Sequence, residues 1–341
     1  MVFYTIQNTT GIPKGYESKS KLITEIASIY HTTLILNIIA MLYCYCDRIY
    51  MQNVGIVVVT YNRLGCLKKN LASLMALQPY PDVRYNIIIV NNHSTDGTTE
   101  YLSNLQEIED INLDRNTGGS GGFYTGVKWC LDHGMDYIWG MDDDAYPDKA
   151  ALQTILSAAS HNDEMTCYWS NCNKDFDNYD EYGRKEVESW MFVGFFVPIK
   201  VVKQVGLPRD DFFIYHDDSE YAYRIRSHHY PIIKIKNSII DHNDTLSVYY
   251  SGKKFLFYEL KHFSVLPAWK RYYDVRNMLL MYKKTDINFW KALIIFGTKT
   301  KIATKIYCPE QAKIVSRALH DGFFRINGCQ IQPDGNWIKD K

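Results

Sequence analysis

Tyr137-Ile138-Trp139-Gly140-Met141-Asp142-Asp143-Asp144 is a short apolar run that ends on three adjacent carboxylates. Like charges at that spacing repel and raise one another's pKa. A divalent cation relieves the crowding, and oxygen ligands suit hard ions such as Mg2+ or Mn2+, which share their shell with substrate phosphates. Taken alone, the triplet reads better as a solvated acidic turn, with Pro147 and Asp148 opening the next helix. Its neighbours in sequence change that balance.

Upstream, residues 54–60 form a continuous β-branched run, as expected of a strand buried on both faces of a parallel sheet. Residues 64–77 carry apolar side chains at helical spacing, and 86–90 make a second buried strand. Residues 91–97 combine turn chemistry with helix-cap residues. A helix over 98–105, a short strand over 108–113, a Gly-rich loop over 116–122 and a helix over 123–133 lead to the strand at 137–141. Alternating βαβ units imply a parallel sheet with helices on both faces, and ligands then bind beyond the carboxyl ends of the strands. Three turns at those ends, 60–63, 91–96 and 142–144, carry reactive or hydrogen-bonding side chains. That convergence favours a functional role for the aspartates. Downstream the pattern predicts a helix over 149–160, a polar stretch to Ser189, an apolar aromatic strand over 190–198 and a short helix over 200–205. Residues 212–215 lead into His216-Asp217-Asp218-Ser219-Glu220, then a helix over 221–229 and a strand over 232–240 that ends in Asp241-His242-Asn243. Past about Leu246 the βαβ rhythm stops, and helices are predicted over 270–283, 290–305 and 310–323.

The chain of 341 residues is long enough for one large domain with appendages or for two. A formal net charge of +0 offers no global field for nucleic acid, so no nucleic-acid partner is expected. The 8 cysteines are scattered without a CxxC pair, which fits reduced thiols in a cytosolic protein rather than a zinc site or disulfide framework. The 27 tyrosines exceed what core packing needs and suit sugar-binding walls or membrane interfaces. Residues 32–46 are an apolar run, short of the ~20 residues of a spanning helix. The run starts too far from the N-terminus for a signal peptide, and no small-residue cleavage site follows. Met51 then directly precedes the first strand, so residues 1–50 are expected to be an extension, either membrane-associating or a mis-assigned start.

Taken in order, Thr60-Tyr61-Asn62-Arg63, Asn91-Asn92-His93-Ser94-Thr95-Asp96-Gly97 and Asp142-Asp143-Asp144 resemble a family 2, GT-A-fold nucleotide-sugar glycosyltransferase. The loop Asn116-Thr117-Gly118-Gly119-Ser120-Gly121-Gly122-Phe123 is similar to that of galactofuranosyltransferases and their rhamnosyltransferase relatives. His216-Asp217-Asp218-Ser219-Glu220-Tyr221 and Asp241-His242 match that family's base and metal-histidine positions, and Tyr272-Tyr273-Asp274-Val275-Arg276-Asn277 resembles a segment these enzymes carry after the catalytic domain. The resemblance covers roughly 54–277. It implies an α/β GT-A fold, Rossmann-like with a mostly parallel central sheet, as a catalytic domain over 51–250, followed by a helical segment over 251–341.

The resemblance also implies roles. Asp142 and Asp144 hold Mn2+ or Mg2+, or its nucleotide, with His242 completing the shell; alternate residues at a strand end point the same way, which suits the pair. Asp143 faces the ribose or caps the following helix. Asp218 is the general base, and a carboxylate crowded by Asp217 and Glu220 has a raised pKa suited to that work; Asp217 as base with Asp218 as helix cap is the competing assignment. Glu220 orients the acceptor. Thr60, Asn62, Arg63, Asn91, Asn116, Gly118 and Gly119 join Asp142 and Asp143 on the nucleotide-sugar side. In many relatives the position of Asn91 holds Asp, which accepts from uracil; Asn can accept through its carbonyl. Simple turn formation is the other reading of Asn91 and the preferred one for Asn92. Gly118, Gly119, Gly121 and Gly122 let backbone amides approach a diphosphate. Trp190 and Gly194 line the sugar and acceptor cleft, with Phe192 evenly divided between cleft and core, and Arg276 holds an acceptor diphosphate.

The function implied is metal-dependent inverting transfer, with UDP-galactofuranose as leading donor and a glycan or polyprenyl-diphosphate-linked glycan as acceptor, in surface polysaccharide synthesis. Rhamnosyl transfer from dTDP-rhamnose is the alternative, and an inactive glycan-binding module the reading from another class. Against the latter stand the intact Asp142, Asp144, Asp218 and His242. Trp269, Lys270, Arg271, Tyr272 and Tyr273, with Trp290, Lys291, Lys299, Lys301 and Lys305, mix aromatic and basic residues as an anionic membrane surface prefers. A helical cap over the sheet edge explains the same residues. The family places such an enzyme in the cytoplasm at the inner face of the cell membrane, in peripheral contact with it.

Overall fold

The computed structural model describes residues 28–35, 51–160, 164–172, 178–242, 249–250, 254–255, 258–259, 263–282 and 289–338. Contacts divide the chain into two units, Met1–Met51 and Gln52–Lys341. Within the first, the described residues are Met51 and a solvent-exposed helix, α1 (28–35). Most of the apolar run at 32–46 lies outside the described residues. No described helix is long and apolar enough to cross a membrane.

The second unit is built on one curled sheet. Its first half comprises β1 (Gln52–Thr60), β2 (Val83–Asn91), β3 (Ile108–Asn112) and β4 (Tyr137–Asp142), linked by α2 (Leu64–Met75), α3 (Thr98–Leu102) and α4 (Gly118–Asp132). The order β3-β2-β1-β4 is parallel throughout. β1 shows why: Val54, Ile56 and Val58 enter one core with Leu67, Leu71 and Trp139, while Val57 and Val59 enter the other with Phe123 and Val127. Each such fully buried aliphatic side chain is worth about 1.5–3 kcal/mol, so a strand of this composition is stable only between two layers. α4 lies close on β1 because Gly122 and Gly126 face Val59 and Val57, where a Cβ would meet side-chain atoms at 2.5 and 2.3 Å.

Beyond β4 the parallel character expected of the whole sheet gives way to mixed pairing. β5 is Ala145–Pro147, α5 Ala151–Ala159, β6 Cys167–Cys172, β7 Arg184–Glu186, β8 Phe195–Pro198, α6 Ile199–Val205, α7 Asp217–Ser227 and β9 Ile232–His242. β8 runs antiparallel to both β4 and β6, β6 and β9 are parallel, and β5 and β7 each pair antiparallel with β9. The strand predicted over 190–198 is shortened: Gly194, at φ 75°, breaks it, and only Phe195–Pro198 pairs. α7 begins at Asp217, four residues earlier than predicted, with Asp217, Asp218 and Glu220 in its first turn. Carboxylates there complement the helix dipole and unpaired amides, an effect that the polar composition concealed.

After two short strand pairs, α8 (Ala268–Tyr282), α9 (Phe289–Tyr307) and α10 (Ala312–Phe324) form the helical segment. Tyr272, Tyr273, Val275, Leu279, Val315 and Ala318 make its core, and Phe213 from the segment before α7 joins them.

Candidate active site

The site lies at the carboxyl ends of β1, β2 and β4. Register sets Thr60 beside Asn91 and Val59 beside Asp142, so the three turns flagged in the sequence converge. The β5–β9 pairing does the rest, since Ala145 opposite His242 brings the histidine to Asp144 across nearly a hundred residues. One ligand atom each from Asp142, Asp144 and His242 lie within 4.8 Å of one another. Asp144 Oδ1 stands 3.2 Å from His242 Nε2 but makes no aligned hydrogen bond, although it is buried. Burial first, then the charges of Asp144 and Asp143, push Asp142 up to about 7. Burial also acts to raise Asp144, yet His242 and Arg63 hold it below the usual carboxylate range. Two carboxylates and an imidazole with a buried oxygen left over are a donor set for a divalent cation, whose charge offsets the burial and the repulsion that raise Asp142. The residues fit the group.

Asp143 neither faces outward nor caps a helix. It is 2% exposed and accepts from Thr60 Oγ1 at 2.7 Å and Arg63 Nη1 at 2.8 Å. The same Arg63 nitrogen is 2.8 Å from Asp144 Oδ2, so Thr60 and Arg63 organise the triplet from the β1 side. Burial and the Arg63 charge together lower the pKa of Lys270 in the first turn of α8, placing a second cation within electrostatic reach. The sequence reading passed over Lys270 at this site because nothing local connects it to residue 63.

The other nucleotide-side residues mostly hold one another. Asn62 Oδ1 accepts from Thr95 N at 2.7 Å, and Asn62 N donates to Ser94 Oγ at 3.0 Å. Asp96 accepts from Leu64 N at 2.8 Å and from Thr98 Oγ1 at 2.6 Å, so the turn after β2 caps both α2 and α3. Asn91 is 1% exposed; its amide donates to Thr99 Oγ1 and Asn112 Oδ1, and its carbonyl accepts from Ser94 N. The carbonyl expected to meet the nucleotide base thus holds Ser94 N, and the amide ties the turn to Thr99 and to Asn112 of β3. Asn92 is a turn residue as preferred, binding Thr117 N and the Gly118 carbonyl. In the Gly-rich loop, Asn116 Oδ1 accepts from Gly118 N at 2.8 Å and the Phe213 carbonyl accepts from Ser120 N at 3.2 Å. Gly118 sits at φ 74° with its missing Cβ position 2.0 Å from the Phe213 oxygen, whereas Gly119 has open space around it. The cradle therefore narrows to Gly119.

Asp217 and Asp218 open α7. Burial first and then Asp218 raise Asp217 well above the carboxylate range, with Asp142 contributing, which puts Asp217 within electrostatic reach of the cation cluster. Asp218 is also raised, mainly by burial; its Oδ1 accepts from Ser219 N at 2.6 Å. Glu220, expected to orient the acceptor, is fully buried and accepts from Arg224 Nε at 3.0 Å. Trp190, expected in the cleft, is 3% exposed against Phe195, with Nε1 lacking a hydrogen-bond partner among the described residues. Phe192 joins the same core. Gly194 is a packing position, where a Cβ would meet Ile240 and Ser170 side chains at 2.5 and 2.6 Å. Arg276 is 0% exposed and donates to the Gly328 and Phe212 carbonyls and to Asn277 Oδ1, so its guanidinium is built into the α8 packing.

A three-layer α/β unit with an Asp-Asp-His cluster at the end of its central strand and Asp217 within electrostatic reach of it has the layout of a GT-A fold. Residues 55–223 match the family described as Glycosyl transferase family 2, and the chain carries a domain of that family. It is 36% identical to galactofuranosyltransferase GlfT1 of Mycolicibacterium smegmatis over 106 residues, 30% of this chain and 34% of that one. To GlfT1 of Mycobacterium tuberculosis it is 36% identical over 111 residues, 32% and 36% of the two chains. The match thus spans about a third of the length of these relatives. Among solved structures, GalNAc-T7 with UDP, GalNAc and Mn2+ superposes at a TM-score of 0.54 and 10% identity, covering 81% of this chain and 56% of that one. The mannosyltransferase PcManGT of Pyrobaculum calidifontis, in complex with GDP-Man and Mn2+, gives 0.51 and 14%, covering 82% and 89%. At those identities the likeness is one of fold.

Proposed function

We propose that the protein is a metal-dependent inverting glycosyltransferase that moves galactofuranose from UDP-galactofuranose to a glycan or a polyprenyl-diphosphate-linked glycan. The observation that carries this reading is the clustering of Asp142, Asp144 and His242 ligand atoms within 4.8 Å at the end of the central strand, with Asp217 in electrostatic reach of it. The similarity to GlfT1 supports the choice of sugar. Mn2+ or Mg2+ held by the cluster supplies neutralisation of the charge that builds on the departing diphosphate. Arg63 and Lys270 add positive charge on the same side, and the open space beside Gly119 leaves room for the sugar or diphosphate. Asp218 takes the proton from the acceptor hydroxyl as that oxygen attacks the anomeric carbon from the face opposite the nucleotide; its raised pKa suits a base near neutrality. Asp217, deeper and facing the cluster, is the competing base. Transfer of rhamnose from dTDP-rhamnose fits the same geometry and is the second reading.

The site of action we propose is the cytoplasmic face of the cell membrane. Trp290, Ile294, Ile295 and Phe324 are 57–64% exposed on α9 and α10, with Lys299, Lys301 and Lys305 exposed along α9. Exposed apolar residues beside lysines suit an anionic lipid surface. The test is a donor panel with Mn2+ or Mg2+, following nucleotide release by wild type and Asp218→Asn. No turnover or binding of any nucleotide sugar overturns the enzyme reading, and full activity in Asp218→Asn moves the base elsewhere.

A further inference from the structure

The backbone that delivers Asp217 and Asp218 is unusual. Phe213, Tyr215 and His216 have φ of 68°, 68° and 65°. This left-handed region is disfavoured for residues with a Cβ, and three such residues in four persist only where the surroundings hold them. The holding groups come from α8. Asn277 Nδ2 is directed at three carbonyl oxygens of the segment, those of Phe212 at 2.9 Å, Ile214 at 2.8 Å and Tyr215 at 2.9 Å. Arg276 Nη2 donates to the Phe212 oxygen at 2.9 Å, and its Nε donates to Asn277 Oδ1 at 2.8 Å, which fixes which way the amide points. Tyr273 stacks on Phe213 with ring centroids 4.8 Å apart. His216 Nε2 lies 3.1 Å from Asp274 Oδ1. On its far side the segment meets the Gly-rich loop, through the Phe213 carbonyl that accepts from Ser120 N.

The side-chain amide of Asn277 is committed to that segment, while Arg276 also donates to the Gly328 carbonyl. Arg276 and Asn277 are both 0% exposed, yet neither bonds a carboxylate; apart from the Arg276 Nε–Asn277 Oδ1 bond between them, their donors go to backbone carbonyls, and every carbonyl that Asn277 reaches belongs to the segment before the aspartates. A helix that merely covered the sheet would need no such polar groups, since burying them is costly unless every donor is satisfied.

We propose that Asp274, Arg276 and Asn277 are positioning residues for the reaction, and that α8, which lies outside residues 55–223, sets the 212–216 backbone so that the Asp217–Asp218 pair faces the cation cluster. This rests on the reading of that pair as the base. It assigns to the Tyr272–Asn277 segment a role in catalysis without contact to either substrate.

The test is Asn277→Ala in the full chain, read in two ways. Amide hydrogen exchange is expected to quicken roughly tenfold or more over 212–219 and stay unchanged over β1 and α5. UDP release from UDP-galactofuranose with Mn2+ is expected to lose about 100-fold in kcat, with donor KM within about twofold, as displacement of a reacting group does. Unchanged exchange over 212–219 overturns the proposal whatever the activity. Exchange that quickens throughout the sheet, or kcat and KM that change together, reduces α8 to a structural prop and also overturns it. Asp274→Ala leaves the buried amide in place and serves if Asn277→Ala does not fold; it is expected to quicken exchange over 215–218 and lower kcat with the melting temperature retained, and no change in either refutes the role. If wild type releases no UDP, the proposed function fails, while the exchange result still decides whether α8 holds the segment.

Discussion

Replacing Arg63 with Met tests how the carboxylate cluster is held together. One guanidinium nitrogen bridges Asp143 Oδ1 and Asp144 Oδ2, each at 2.8 Å. Charge-assisted hydrogen bonds are worth about 1.5–3 kcal/mol each when shielded. The Arg63 side chain is 48% exposed, so solvent screens part of that value and the pair together is worth roughly 2 kcal/mol. For a unit of this size that is a fall in Tm of roughly 4–8 °C at neutral pH. The sign with pH follows from Asp144, whose folded pKa lies below its usual value. Its contribution is present above the ordinary carboxylate range and is lost as pH falls through the folded pKa, so wild type and variant should converge in acid. Because a divalent cation can take over the compensation that Arg63 gives, Mn2+ should raise the Tm of Arg63→Met more than that of wild type. Scanning calorimetry from neutral pH downward, with and without Mn2+, measures all three. Equal Tm values at neutral pH, or a difference that persists in acid, would refute the electrostatic reasoning.

Other expectations are as direct. Gly118→Ala places a Cβ 2.0 Å from the Phe213 oxygen at φ 74° and should cost about 2–4 kcal/mol in chemical denaturation, while Gly119→Ala, with open space, should stay within about 1 kcal/mol. Arg276→Met should lower stability by about 3 kcal/mol or more, because it strands buried carbonyls; a folded variant with only a raised acceptor KM would restore the acceptor-diphosphate role. Raised pKa values at Asp217 and Asp218 place the acid limb of the transfer rate above the ordinary carboxylate range near 4, a limb that a pH–kcat profile should show and that Asp218→Asn should abolish.

What could be read from residues alone follows a physical divide. The β-branched run of β1, buried on both faces, announces itself because its signal is local, and so do the Asp142–Asp144 turn and the final histidine of β9. The course of 190–198 misleads, since an aromatic run is equally apolar whether it pairs in a strand or bends at Gly194 into the core. Glu220, Trp190 and Arg276 were expected at the cleft because their chemistry suits it. Their partners differ in how far a sequence reveals them: Arg224 lies four residues beyond Glu220 on the same helix, whereas Phe195 and the carbonyls of 212 and 328 are set by tertiary packing that no spacing reveals. Left-handed backbone at Phe213, Tyr215 and His216 is invisible in a sequence that places no glycine there. The reversal of β8 between β4 and β6 is equally hidden, because its apolar run of four residues carries no direction.

The central claim is that Asp142, Asp144 and His242 hold a cation that serves a nucleotide sugar opposite the Asp217–Asp218 pair. Calorimetric titration of UDP into wild type, Asp144→Asn and His242→Ala, each with Mn2+ and then with EDTA, tests it most directly. The prediction is binding by wild type that EDTA abolishes and that each substitution weakens by at least about tenfold. Binding of UDP that is equal in all three proteins and indifferent to EDTA would contradict it.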